Sequence, residues 1–173
     1  MKPNTPTPVR QKTLAQEVQT TGIGLHSGRK VKLVLRPAPV NTGVVFRRMD
    51  VDANLDITTA PEYVIDTRMA TTLANPSNLA ARVLTIEHLM SALAGLGVDN
   101  VIVEVNAPEI PIMDGSATSF VYLITTAGVV EQDALRRFIR IKQSVQVTDG
   151  DKIARLDPYF GFKTRFDIEF DHP

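Results

Sequence analysis

The sequence contains no cysteine among its 173 residues. This absence excludes a disulfide-stabilised scaffold, a zinc finger built on thiolates, and an enzyme with a cysteine nucleophile. An excess of either charge is also missing, because 19 basic side chains balance 19 acidic ones. Proteins that bind nucleic acid depend on surplus lysine and arginine, so this balance argues against that class of partner.

Long apolar runs are absent as well. No uninterrupted stretch reaches the roughly eighteen apolar residues that a membrane-spanning helix needs. The first eight residues have no apolar segment of the kind found in secretory signals. Apolar residues nevertheless make up 43% of the chain, which is enough for a sizeable core. Together these features predict a soluble, cytoplasmic protein of mixed α and β structure without a membrane span.

The residues that are present predict four consecutive segments. Residues 1–9 carry three prolines and are expected to form a disordered leader. Residues 10–130 are predicted to form a complete βα domain with a mixed sheet and two helices. The polar stretch 131–136 is interpreted as a linker, and residues 137–173 as the opening strands of a second, truncated domain.

Several strands are predicted from the period of the apolar residues. Alternation at 31–35 indicates a strand with one buried face, whereas the almost wholly apolar stretch 101–105 is typical of a central strand. Alternation at 139–147 leads into a hairpin that closes over 152–156. Residues 162–170 alternate strictly between uncharged, mostly apolar side chains and charged ones, which predicts a further strand with one buried face.

Two helices are predicted from apolar residues at three- and four-residue spacing. The first covers 85–96, with Thr85 as its N-cap and Gly97 at its end. Its apolar stripe consists of Ile86, Leu89, Met90 and Leu93. The second helix is predicted to begin after a cap at Ser116 and to stop at Gly128.

Two loops resemble ligand-binding motifs but have simpler explanations. The glycines at 22–28 are spaced one residue too widely for a dinucleotide-binding loop, and a strand is predicted to follow them rather than a helix. A hairpin turn is therefore favoured, and His26 within it is interpreted as a surface histidine. At 114–116, a turn followed by a helix cap is favoured over an ion or phosphate loop.

The pair Glu87-His88 is the strongest candidate for chemistry. Both residues fall in the first turn of the predicted helix and off its apolar stripe, so neither is needed for packing. In metal-assisted hydrolysis, a neutral imidazole nitrogen binds the metal ion and a carboxylate accepts a proton from water. On the pattern alone, a solvated helix face remains the alternative, since no HExxH motif is present.

Four groups of segments closely resemble one family in their order and residues. They are TTGIGLHSG at 20–28, LRPAP and NTG at 35–43, TIEHL and SALAGLGVDN at 85–100, and EVNAPEIPIMDGS at 104–116. Together these segments resemble the UDP-3-O-acyl-N-acetylglucosamine deacetylases, the zinc amidases of lipid A synthesis in Gram-negative bacteria. The resemblance runs from about Arg10 to Pro173, which leaves only the proline-rich leader outside it.

The resemblance implies an α+β fold of two βα domains, each a sheet with two helices, with the helices sandwiched between the sheets. It also implies that Glu87 is the general base and His88 is a ligand of Zn²⁺. The zinc ion would polarise the acetamide carbonyl and lower the pKa of its bound water. Acetate would be released from the UDP-acyl-glucosamine substrate, which is the implied partner.

The resemblance also implies residues that bind the nucleotide part of the substrate. Lys152, in the Asp-Gly-Asp-Lys turn, would contact the UDP diphosphate. Glu169, Phe170 and Asp171 would line the uridine pocket, where the phenyl ring could stack on uracil.

The sequence departs from the family in one important respect. The family's remaining zinc ligands, a His and an Asp in a His-Lys-x-x-Asp segment, have no counterpart before Pro173, and neither does its general-acid His. We therefore expect this chain to be the N-terminal part of the enzyme and to be inactive alone, because catalytic zinc sites use three protein ligands. Two alternatives remain: a metal-free module that binds UDP-sugar through Lys152 and Phe170, and a short protein that covers its apolar sheet face by self-association.

Overall fold

The computed structural model describes residues 8–169. The chain divides into two units, Met1–Arg136 and Arg137–Pro173. Within residues 8–169, no helix is long and apolar enough to cross a membrane. The predicted disordered leader, residues 1–9, lies outside the described residues except for its last two. Phe170, where the last strand is predicted to end, lies wholly outside them.

The described part of the first unit contains ten strands, two α-helices and one short 3₁₀ helix. The strands are β1 (Arg10–Leu14), β2 (Val18–Ile23), β3 (Lys30–Pro37), β4 (Val44–Arg48), β5 (Asp52–Thr58), β6 (Val64–Asp66), β7 (Thr72–Asn75), β8 (Asn78–Val83), β9 (Val101–Val105) and β10 (Val129–Leu135). The helices are α1 (Glu87–Leu96), α2 (Thr118–Ala127) and the 3₁₀ helix Pro61–Tyr63. This composition confirms the predicted α+β class with two helices.

A five-stranded sheet forms the centre of the first unit. Its strand order is β2-β3-β9-β4-β5, with every pair antiparallel except β4 and β9. The almost wholly apolar β9 lies in the middle, as its sequence predicts. The sheet is mixed because β9 runs parallel to β4. Strands β5 to β8 and helix α1 lie between these two strands in the chain.

One hydrophobic core joins this sheet to both helices. The buried side chains that β3, β9, α1 and α2 contribute to it include Leu33, Leu35, Val103, Leu89, Leu93, Phe120 and Ile124. The alternation predicted for β3 and the apolar stripe predicted for α1 are therefore confirmed. The helices pack against the sheet with the faces that their sequences indicate.

Two smaller sheets complete the first unit, and one of them corrects a prediction. Strands β6, β7 and β8 form a three-stranded antiparallel sheet, and β1 pairs with β10. The stretch 131–136, interpreted from its polarity as a linker, is strand β10 over most of its length. Polar residues are accommodated because Gln132 points inward, donates to the Ala38 carbonyl at 2.8 Å and accepts from Asn100 at 2.7 Å.

The start of α1 differs from its prediction. The N-cap position is Ile86, and no side chain caps the helix there, so the predicted cap at Thr85 is wrong. Thr85 instead has a φ of +57°, in the left-handed region that side chains other than glycine rarely occupy. At the other end, Gly97 has a φ of +70° and ends the helix as predicted.

The start of α2 also lies slightly later than predicted. Ala117 occupies the N-cap position, and Ser116 lies one residue before it. The Ser116 hydroxyl nevertheless accepts a hydrogen bond from the Thr118 backbone N–H at 3.0 Å. The serine therefore supports the first turn without occupying the cap position itself, and Gly128 ends the helix as predicted.

The second unit contains one hairpin among its described residues. Strand β11 (Val145–Asp149) pairs antiparallel with β12 (Lys152–Leu156), which confirms the predicted hairpin. Residues 137–144 and 157–169 contain no strand or helix. The strand predicted from the alternation at 139–147 therefore begins only at Val145, and the strand predicted at 162–169 is wrong within this range. Alternating apolar residues alone do not make a strand, because its backbone N–H and C=O groups also need a neighbouring strand with which to form hydrogen bonds.

Candidate active site at the start of the first helix

The first turn of α1 brings Glu87 and His88 to the surface side by side. Both lie off the buried stripe of the helix, with Glu87 exposed and His88 half-buried. The predicted positions and partial accessibility of the two side chains are confirmed. A proton acceptor and a potential metal ligand therefore occupy adjacent positions on a helix that the core holds firmly.

The Glu87 carboxylate is held by the segment that precedes β7. Its Oε1 accepts a hydrogen bond from the backbone N–H of Thr71. Nearby in this segment, Met69 has a φ of +65°, and its side chain is almost fully exposed. The direction of the Glu87 side chain thus depends on a loop as well as on its own helix.

A buried carboxylate that the sequence analysis missed lies beside the start of α1. Glu109 is 0% exposed. Its Oε1 accepts from the His26 backbone N–H at 3.0 Å, the His26 ring Nδ1 at 2.9 Å and the Thr85 hydroxyl at 3.0 Å. Its Oε2 accepts from the Ser27 backbone N–H at 2.9 Å. His26, interpreted as an ordinary surface residue, is thus part of a polar cluster with a buried acid.

These hydrogen bonds determine the charge of Glu109. Burial by itself raises the pKa of the carboxyl group, since it penalises the ionised form. The hydrogen bonds from His26 and Ser27 outweigh that effect and lower the pKa of Glu109 to about 2. The side chain is therefore ionised at neutral pH. The only sequence signal for it is a charged residue between apolar and proline residues at 107–111.

The glycine-rich turn next to Glu109 is a hairpin connection, as predicted. Residues 24–29 join the antiparallel strands β2 and β3, and no helix follows them. A Cβ added to Gly24 would lie 2.5 Å from Glu109 Oε2 and would also collide with the Ser27 side chain. Any larger residue at position 24 would therefore force the Glu109 carboxylate and the Ser27 side chain to shift.

The loop at 114–116 forms the turn that the sequence favours. The backbone N–H of Ser116 donates to Asp114 Oδ1 at 3.2 Å, and the Ser116 hydroxyl donates to the same carboxylate. Gly115 has a φ of +79° and donates its N–H to the Ile112 carbonyl at 3.0 Å. The polar groups of this motif are thus used within the turn and at the start of α2.

The predicted nucleotide-binding residues lie in the second unit or outside the described range. Lys152 is the exposed first residue of β12, directly opposite Asp149 across the hairpin. Glu169 is exposed and lies in a segment without regular structure. Phe170 and Asp171 lie outside the described residues. Since only Lys152 and Glu169 of the four are described, the nucleotide pocket stays a prediction from the resemblance.

The fit of the residues to a zinc ion can be tested directly. Within residues 8–169, there is no group of three or more His, Cys, Asp or Glu side chains that could hold a metal. His88 is one suitable ligand. The resemblance assigns Glu87, beside it, the role of proton acceptor rather than that of a metal ligand. The described part of the chain therefore does not form a complete catalytic zinc site, which needs three protein ligands.

The structure defines an α+β protein with an adjacent carboxylate and imidazole in the first turn of a helix. The family described as LpxC, UDP-3-O-acyl N-acetylglycosamine deacetylase, matches residues 11–173. The chain belongs to this family. The resemblance found in the segments around TIEHL is confirmed over nearly the whole sequence.

Individual relatives agree with this assignment. A UDP-3-O-acyl-N-acetylglucosamine deacetylase from Thioalkalivibrio sulfidiphilus is 56% identical over 165 residues, and one from Idiomarina loihiensis is 55% identical over the same length. Each alignment covers 95% of this chain and 53% of the relative. The chain thus spans about half the length of the curated relatives that it matches.

Proposed function

We propose that the complete protein hydrolyses the acetamide of UDP-3-O-(3-hydroxyacyl)-N-acetylglucosamine and releases acetate, an early step of lipid A biosynthesis. The observation that carries this proposal is the accessible Glu87-His88 pair at the start of α1, in a chain that belongs to the deacetylase family. The relatives' names give the same substrate class.

Glu87 is proposed to be the general base. Its carboxylate is exposed, and the hydrogen bond from Thr71 limits the directions in which it can point. It would accept a proton from the water that attacks the acetamide carbonyl. A positioned base of this kind contributes about 10²- to 10⁴-fold to the rate.

His88 is proposed to be one ligand of a zinc ion in the complete protein. When bound, the ion would supply a Lewis acid for the carbonyl and a more acidic water. Residues 8–169 contain no group of three suitable ligands, which supports the proposal that the remaining ligands lie outside them. For the same reason we propose that the 173-residue chain alone holds well under one equivalent of zinc and does not release acetate.

The nucleotide part of the substrate is proposed to be bound by Lys152, Glu169, Phe170 and Asp171. The ammonium group of Lys152 is exposed and suits a diphosphate, while an aromatic ring at 170 suits a uracil base. These residues lie in the second unit, apart in sequence from the proposed base and ligand.

The proposal is tested by metal analysis and acetate release in the complete protein. Glu87→Ala should retain zinc but lose about 10²- to 10⁴-fold in turnover. His88→Ala should lose zinc itself. Glu62→Ala is the matched control, because Glu62 is an exposed acid in the short 3₁₀ helix. It should change neither quantity.

Three outcomes would contradict the proposal. Equal loss of zinc in Glu87→Ala and His88→Ala would exclude separate roles. Stoichiometric zinc and acetate release in the 173-residue chain would mean that a partner chain supplies ligands. Binding of the UDP-sugar without any hydrolysis by the complete protein would favour the non-catalytic module.

A further inference from the structure

Three segments that are distant in sequence meet at the Glu109 carboxylate. The β2–β3 turn provides His26 and Ser27, the residue before the α1 cap provides Thr85, and the loop after β9 carries Glu109 itself. Backbone hydrogen bonds reinforce the meeting point. Leu84 donates to the Pro108 carbonyl at 2.9 Å, and Ile110 donates to the Leu84 carbonyl at 3.0 Å.

We propose that Glu109 is a positioning residue that fixes the start of α1 and thereby the directions of Glu87 and His88. This inference rests on the proposed function, since it assigns a role in the same site. Glu109 does not face the substrate, because its carboxylate is fully buried. It would act through Thr85, which lies two residues before the proposed base.

The charge of Glu109 makes this junction rigid. A buried ionised carboxylate is stable only while its hydrogen-bond donors remain in place. Here the donors come from two other segments, and one oxygen alone accepts three of the four hydrogen bonds. Moving either segment away would leave a buried charge without its donors, so small displacements are resisted.

The backbone of Thr85 shows why such an anchor is needed. Its φ of +57° is unfavourable for a β-branched residue, and it persists only where surrounding contacts enforce it. The hydroxyl bond to Glu109 at 3.0 Å is such a contact. If it were lost, Thr85 could relax towards an ordinary conformation, and the first turn of α1 would shift with it.

A matched control exists at the other end of β9. Asn100 is also buried and joins distant segments, since it accepts from the Gly43 backbone N–H at 2.9 Å and donates to Gln11 at 2.8 Å. It makes no hydrogen bond to Thr85 or Glu87 in the described structure. Asn100→Ala should therefore destabilise the fold without a specific effect on the site.

The test compares Glu109→Gln, Thr85→Val and Asn100→Ala in the complete protein. Glu109→Gln removes the negative charge and turns an amide N–H₂ donor towards groups that are themselves donors, namely those of His26, Ser27 and Thr85. Because the start of α1 would then be less firmly positioned, we expect kcat to fall about 10- to 100-fold with little change in KM. Thr85→Val should act in the same direction with a smaller loss. The double variant should be no slower than Glu109→Gln alone, because both changes break one interaction.

The backbone amide NMR signals of residues 86–90 give a readout that does not depend on activity. They should move in Glu109→Gln and Thr85→Val but not in Asn100→Ala. An inactive wild-type protein would overturn the proposed function, and the amide signals would then still decide the positioning role. Equal kcat losses in Glu109→Gln and Asn100→Ala at equal loss of stability, or unmoved signals at 86–90, would overturn the inference. If Glu109→Gln does not fold, Thr85→Val decides it.

Discussion

In the first unit, Phe46 and Phe120 are buried in the core, whereas in the second unit Phe160, Phe162 and Phe166 are almost fully exposed. In the first unit, a five-stranded sheet packs against both helices, and its three inner strands have neighbours on both sides. The described residues of the second unit form only a two-stranded hairpin. An isolated hairpin of this kind is at best marginally stable in water.

The difference shows that an apolar pattern becomes structure only when a second layer and a neighbouring strand are available. Both stretches 31–35 and 162–168 place mostly apolar side chains at alternate positions: Val31, Leu33 and Leu35 in the first, and Phe162, Phe166 and Ile168 in the second. The first stretch pairs with β2 and β9 and buries its apolar face, while the second pairs with no strand among the described residues. Pattern indicates which face can be buried, and the partners decide whether it is.

Removal of one phenyl ring from the core of the first unit should cost far more stability than removal of one from the second unit. Phe120→Ala should lower the free energy of unfolding of the 173-residue chain by about 3–5 kcal/mol, because it leaves a cavity in the core. Phe166→Ala should change it by less than about 0.5 kcal/mol, because that ring is already 82% exposed. Urea denaturation followed by circular dichroism measures both. Similar losses in the two variants would mean that Phe166 is covered in solution.

A second comparison concerns acids in the two units. The pKa of Glu109 is about 2 in the folded chain, against 4.5 as its ordinary value. Its contribution to stability is therefore complete above about pH 4.5 and is lost as the pH falls through about 2. The full loss corresponds to about 3 kcal/mol, and Glu109→Gln should remove it from the pH dependence of unfolding.

Asp157 is the matched acid in the second unit. A hydrogen bond from Ser144 and the neighbouring Arg155 also lower the pKa of its carboxyl group, but the side chain is half exposed. Solvent screens such a surface interaction, so Asp157→Asn should leave the pH dependence of unfolding unchanged. An equal flattening of the pH dependence by both substitutions would show that burial does not distinguish the two acids.

Much of the first unit can be predicted from local patterns. The stripe of α1, the buried face of β3, the central position of β9 and the accessible Glu87-His88 pair all follow from residue spacing over a few turns or strand residues. The hairpin in the second unit is likewise set by the local Asp-Gly turn. In each of these cases the information lies within one element and its immediate neighbours.

The features that could not be predicted depend on long-range partners. Glu109 accepts hydrogen bonds from His26 and Ser27, which lie more than eighty positions away, so the apolar and proline residues around it in the sequence do not reveal its partners. Thr85 is of a residue type that often caps helices, but its hydroxyl donates a hydrogen bond to the Glu109 carboxylate instead. Gln132 looks like part of a linker because its buried partners, Asn100 and the Ala38 carbonyl, lie in other segments.

Substitution of one glycine in each unit should give effects of different size and different cause. Gly24→Ala should destabilise the chain by about 1–3 kcal/mol, because its new Cβ would lie 2.5 Å from Glu109 Oε2 in a packed cluster. Gly150, in the hairpin turn, has a φ of +60° and open space around it. Since asparagine tolerates that backbone conformation, Gly150→Asn should stay within about 0.5 kcal/mol. Thermal unfolding of both variants decides the matter, and a Gly24→Ala chain as stable as wild type would mean that the Glu109 cluster can move aside.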